Sequence, residues 1–306
     1  MKQFVAVAYP LSDNLPSAYD NRALAKSAKS RKIPPMNVKV AALSGLASLV
    51  ALNAPAQTEK AVVGHYAALV EATYADALNK ATTMEKAIED FLAEPSSSAL
   101  DTARAAWTAA RIPYLQSEVF RFYEGPIDDE DGPEGLLNAW PLDESYVDYV
   151  KGDLKAGIIN NPGDFPKIDA ELIESLNEKG GEANISCGYH AIEFLLWGQD
   201  FSAAGPGQRP FTDYTSADHA DRRADYLRAS TKLLIKHLGA VAAEWEPAKD
   251  NYRASFLKLE PSVALEKILT GMSMLSGFEM ASERLNVAYD TKAQEDEHSC
   301  FSDTTH

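Results

Sequence analysis

Residues 187–198 read CGYHAIEFLLWG, and within them His190 and Glu193 stand three positions apart. On a helix that step brings both side chains to one side, where they can reach a common ion. Their neighbours are almost all apolar, so the pair is expected to be buried or half-buried. An imidazole and a carboxylate in such surroundings are costly unless something answers them. A metal ion would do so, as would polar groups from neighbouring helices; a hydrogen-bonded pair in a packed core is the plainer alternative. No HExxH occurs and Phe194 breaks HxxEH, so no zinc-protease signature sets two histidines and a base on one helical turn.

A second stretch, WTAARIPYLQSEVFRF over residues 107–122, spaces Arg111, Tyr114, Ser117, Glu118 and Arg121 along one broad helical face. Glu118 is the candidate for a further carboxylate ligand, with Arg111 or Arg121 to hold or neutralise it and Ser117 beside them. The competing reading is a surface ladder of ion pairs. A third source is GFEMASER, residues 277–284, where Glu279 or Glu283 could face inward. Carboxylates and histidines gathered from different helices are a known way for a bundle to hold iron or manganese. The acidic run Asp128–Asp131 lacks the spacing of a calcium hand and reads as a solvated loop. Met272, Met274 and Met280 read as core filler.

The elements that must position these residues are helical. Apolar positions such as Val62, Tyr66, Leu69, Val70 and Tyr74 recur at three- and four-residue steps from Thr58 until Pro95. Ser96–Ser98 caps a second helix reaching Phe122, with Pro113 as a kink. Residues 124–143 then hold three Gly, three Pro and seven acidic residues, a long polar excursion. Shorter helices are predicted near 145–151, 168–177 and 185–197, and longer ones near 218–244, 251–259 and 261–290. No stretch alternates as a strand, so the chain is read as all-α. Two helical bundles are expected, residues 57–205 and 206–306, the second incomplete.

The chain has 306 residues, 29 basic and 45 acidic, for a net charge of −16. That balance argues against a nucleic-acid partner, which calls for clustered Lys and Arg. Residues 36–56 carry a Lys near a Met, a short apolar run and Ala-Pro-Ala, which together read as a secretory signal starting at Met36. Residues 1–35 then read as a spurious extension. The remaining 250 residues carry 22 basic and 43 acidic side chains, a net charge of −21, and no segment that could span a membrane. The expected product is periplasmic or bound to the cell envelope, where its surface attracts cations. Export also permits a Cys187–Cys300 disulfide.

The strings GYHAIEFLLWGQD (188–200), WTAARIPYLQSEVFRFYEGPIDDEDGPEGLLNAWPLDE (107–144), RPFTDY (209–214) and EDEHSCFSDTTH (295–306) occur in order. In them the chain resembles the imelysin-like family, especially its iron-regulated branch, over residues 57–306. The resemblance implies an exported protein of two helical bundles sharing a site marked by GxHxxE, here Gly188, His190 and Glu193. It implies a metal-associated role more directly than proteolysis, with iron or zinc as the ion and Glu118 and Arg111 near the site. Members continue beyond the HSCFSDTTH segment, which is why the second bundle is expected to be short. The leading expectation is an iron-binding or iron-uptake protein, with other envelope proteins as partners. A zinc metallopeptidase and a non-catalytic helical interaction protein are the alternatives.

Overall fold

The computed structural model describes residues 58–202, 205–292 and 301–304. The expected extension and signal, residues 1–56, lie outside the described residues, as does Cys300 of the expected disulfide. Thr58 opens the first helix, α1 (Glu59–Ala93), its side-chain oxygen accepting from the Ala61 amide at 3.2 Å. Ser96 does the same for Ala99 at the start of α2 (Ser97–Ser117). Each cap satisfies one of the amides that a helix start leaves without a carbonyl. The buried face of α1 runs through Val63, Tyr66, Val70, Tyr74, Ala77, Ala81, Met84, Ile88 and Phe91. Val62 and Leu69, expected on that face, are 39% and 50% exposed. They lie off the stripe that α2 and a later helix cover, and small residues at 67, 77 and 81 let those helices approach.

The second helix stops five residues earlier than expected. Pro113 lacks an amide hydrogen, and the chain tightens into a 3-10 turn at Glu118–Phe120 before Phe122 takes a φ of +70°. The acidic loop is partly structural: Asp128 accepts from the Phe122 amide at 2.5 Å and the Gly125 amide at 3.3 Å, while Asp129–Asp131 are exposed. One-turn helices follow at Glu134–Leu137 and Glu144–Val147. Then come α3 (Ala170–Leu176), α4 (Gly188–Trp197) and α5 (Ala220–Trp245). No strand forms among the described residues; Val150 and Asp153 make an isolated bridge.

α5 packs on both α1 and α4, and α4 also packs on α2, so the HxxE helix is enclosed by long helices. The short helix Tyr252–Phe256 and α6 (Pro261–Met274) complete the frame. Gly271 lets α6 meet the 3-10 turn, because a Cβ there would lie 2.5 Å from the Val119 carbonyl oxygen. The expected single helix over 261–290 instead widens into a π-helix at Leu275–Asn286 and resumes at Val287–Thr291, with no buried residue in either. The three methionines expected in the core are outside it: Met272, Met274 and Met280 are 52%, 38% and 44% exposed. α6 buries Ala264, Ile268 and Gly271, which leaves Met272 and Met274 off that face, and the π-helix that carries Met280 buries no residue.

Candidate functional site

Gly188 opens α4 with φ +83°, and a Cβ at that position would stand 2.7 Å from the Leu137 carbonyl oxygen. Only glycine fits both the backbone angle and the space. This start seats all ten residues of α4 in the interior. His190 Nδ1 lies 3.1 Å from Glu193 Oε2, and both side chains are fully buried. Glu193 Oε1 accepts from the Ser302 amide at 3.0 Å and from its hydroxyl at 2.6 Å. The Trp140 ring covers the imidazole at 4.8 Å, and Phe301 packs on both Trp140 and Phe194. In the tautomer whose Nδ1–H donates to Glu193, the carboxylate fixes the orientation of the imidazole ring, as carboxylates do for coordinating histidines.

Glu118 is placed elsewhere. Arg284 grips it from both nitrogens, Nη1 to Oε2 at 3.1 Å and Nη2 to Oε1 at 2.7 Å. Arg284 also binds Glu279 Oε1 at 2.9 Å. Arg121 pairs with Glu134 at 3.0 Å and approaches Glu118 at 4.0 Å. Asn138 joins this group, donating from Nδ2 to Glu118 at 3.4 Å and accepting from Arg111 Nη1 at 2.5 Å. Burial raises the Glu134 carboxyl even though Arg121 lowers it, and Glu118 and Glu279 add to the rise. A cavity of about 200 Å³ opens here, with Arg121, Glu134, Asn138, Trp140 and Glu279 in its wall.

The structure therefore brings His190 to Glu193, and Glu118 to Arg121 and Glu279, as two groups with Trp140 against the first and in the cavity wall of the second. Among the described residues no three of His, Cys, Asp and Glu converge as a metal-binding group. Glu118 turns away because the two guanidinium arms of Arg284 match its oxygens. Ser117 donates to the Tyr114 carbonyl of its own helix at 2.6 Å, and Glu283 is exposed. Cys187 is buried with its thiol against the Leu136 carbonyl, and burial pushes that thiol up to about 12.

Sequence reasoning missed Ser302, Asn138, Trp140 and Arg284, whose roles depend on contacts across 20 to 166 positions. It also missed a buried ionic centre. Asp148 accepts from Arg209 at 2.7 Å and from Arg223 at 2.7 and 2.9 Å, while Arg209 also binds Asp213 at 3.0 Å. Burial would raise the Asp148 carboxyl, but the two guanidinia overcome it and hold it at about 2. Its one signal was RPFTDY, whose Arg209 and Asp213 stand four apart.

The imelysin family model matches residues 70–306. The chain belongs to the imelysin family. The iron-regulated protein A of Synechococcus elongatus is 25% identical to this family member over 244 residues, 77% of this chain and 56% of the relative. The chain thus spans little more than half the length of that relative. The fold is shared with the crystal structure of a protein described as an iron-regulated protein A precursor from Parabacteroides distasonis. That likeness has a TM-score of 0.58 at 19% identity, over 81% of this imelysin-family chain and 70% of the other.

Proposed function

We propose that this imelysin-family chain is an exported, iron-associated binding protein in which iron is cargo rather than a resident cofactor. The observation that carries the reading is the His190–Glu193 pair on one turn of α4, the imidazole oriented by the carboxylate and the carboxylate held by Ser302. The described residues supply one imidazole and one carboxylate there, short of the three or four protein ligands of a zinc centre. Glu118 stays with Arg284 in this reading.

A peptidase has less support, since neither HExxH nor HxxEH occurs in the sequence. The excess of acidic residues favours cation capture in the envelope, and the name of the Synechococcus relative is in keeping with iron. The reading includes passage through the membrane, with cleavage after Ala56.

The test is elemental analysis of the protein, purified without a histidine tag and incubated anaerobically with ferrous iron or with zinc, beside His190→Ala and Glu193→Ala chains. Stoichiometric iron, lost in both variants while helicity persists, and no cleavage of casein are expected. Iron content unchanged in the variants, or metal-dependent proteolysis that His190→Ala abolishes, would overturn the reading. Cell fractionation and N-terminal sequencing check export, with Gln57 the expected first residue.

A further inference from the structure

The turn at residues 150–153 and the chain that leaves α4 at Gly198 wall a pocket of about 300 Å³. Hydrogen bonds fix those walls. The Lys151 amide donates to the Gln199 side-chain oxygen at 2.6 Å, Gln199 donates in turn to Glu144, and the Arg209 amide donates to the Trp197 carbonyl at 2.8 Å. Gly198, at φ +72°, lets Arg209 close in, since a Cβ there would stand 3.2 Å from the Arg209 Cβ.

The lining combines rings with positive charge. Tyr149, Trp197 and Phe201 supply the rings and Leu154 an aliphatic edge. Phe201 and Leu154 are 68% and 75% exposed, so apolar surface is left to water on the walls of one concave site. Among the described residues no Asp or Glu lines the pocket, whereas Lys151 and Arg209 do. On a chain of net charge −16 that is a local reversal. The two cations differ. Arg209 is matched by Asp148 and Asp213 through Nη1, and its Nε meets no acceptor among the described residues. The Lys151 ammonium stands 5.0 Å from the Phe201 ring centre, and among the described residues no carboxylate lies within ion-pair distance of it.

A ligand that answers this lining has a planar apolar body for the rings and one negative charge for Lys151. An inorganic anion would leave the rings unused. The volume sits at the lower end of the roughly 300–1,000 Å³ of small-molecule sites, which suits a single ring. We infer that this pocket is a binding site for a small aromatic carboxylate, its ring against Tyr149, Trp197 and Phe201 and its carboxylate on the Lys151 ammonium. The site uses neither His190 nor Glu193 and stands whether or not the chain carries iron.

The experiment is calorimetric titration of the full chain with sodium benzoate, sodium acetate and benzylammonium chloride at constant ionic strength. Benzoate binds saturably. Acetate keeps the charge without the ring, benzylammonium keeps the ring with the opposite charge, and each binds at least about tenfold more weakly. Lys151→Gln weakens benzoate binding about fivefold or more, and Phe201→Ala weakens it a few-fold. Both residues are exposed, so both variants keep the fold, which circular dichroism checks. Absence of saturable benzoate binding, acetate or benzylammonium binding as tight as benzoate, or either variant binding benzoate as tightly as the parent would overturn the assignment.

Discussion

Two buried groups of arginines and carboxylates can be set side by side. Around Asp148, two guanidinia face two carboxylates, and Asp148 alone takes three hydrogen bonds from them. Around Glu118, Arg121 and Arg284 find Glu134, Glu279 and Glu118, but among the described residues Arg111 reaches a carboxylate only through the Asn138 amide. The first group has its charges matched inside the protein and ties the loop near residue 148 to α5. The second keeps one guanidinium edge, that of Arg111, without an acceptor among the described residues. Matched buried charge is what a fold uses to define itself; unmatched buried charge is a cost that a ligand can offset.

The largest effect expected from this contrast is at the matched centre. Asp148→Ala leaves Arg209 and Arg223 buried without their shared anion, and a loss of about 3–5 kcal/mol in denaturant unfolding is expected. A loss below about 1 kcal/mol would mean that the centre is not the tie described. Gly188→Ala comes next, because it combines a φ of +83° with a clash at the Leu137 carbonyl. It should cost about 2–3 kcal/mol, read from the shift in the denaturation midpoint.

Acidity sharpens the contrast. The Asp148 carboxyl titrates at about 2 in the folded chain, below its ordinary value of 3.8. A depressed carboxylate contributes stability that is fully present above the unfolded value and is lost as pH falls through the folded one. Stability should therefore fall between about pH 4 and pH 2 by on the order of 2 kcal/mol from this group. Asp148→Asn should flatten that limb of the stability curve, and an unchanged limb would assign the acid sensitivity elsewhere. Ser302→Ala removes the hydroxyl held by Glu193, for an expected loss of about 1–2 kcal/mol in the same unfolding assay.

The smallest effect is the most informative. Arg111→Met exchanges an incompletely answered guanidinium for an apolar chain of similar length, and stability should change by less than about 1 kcal/mol, or rise. A loss as large as that of Asp148→Ala would erase the difference between the two groups.

The course of the long helices was legible because their signals are local. Thr58 and Ser96 sit at helix starts where a hydroxyl serves an amide three residues on, and apolar spacing follows the helical period. The 190/193 pairing was legible for the same reason, since one helical turn sets it. The exposed methionines show the limit: periodicity marks an apolar stripe on residues 261–291 but does not say whether anything covers it.

Local pattern was enough to read the chain as all-helical, to find where its main helices begin, to put His190 and Glu193 on one face, and to bring out an imelysin-like pattern. It took long-range packing to show that Glu118 answers to Arg284 instead of joining His190, that Ser302 holds Glu193, and that Arg111 is buried with an edge unmet. The division follows from range: backbone hydrogen bonding and helical spacing act over three or four residues, whereas charge matching is settled between side chains distant along the chain, by whichever donors and acceptors packing brings within about 3 Å.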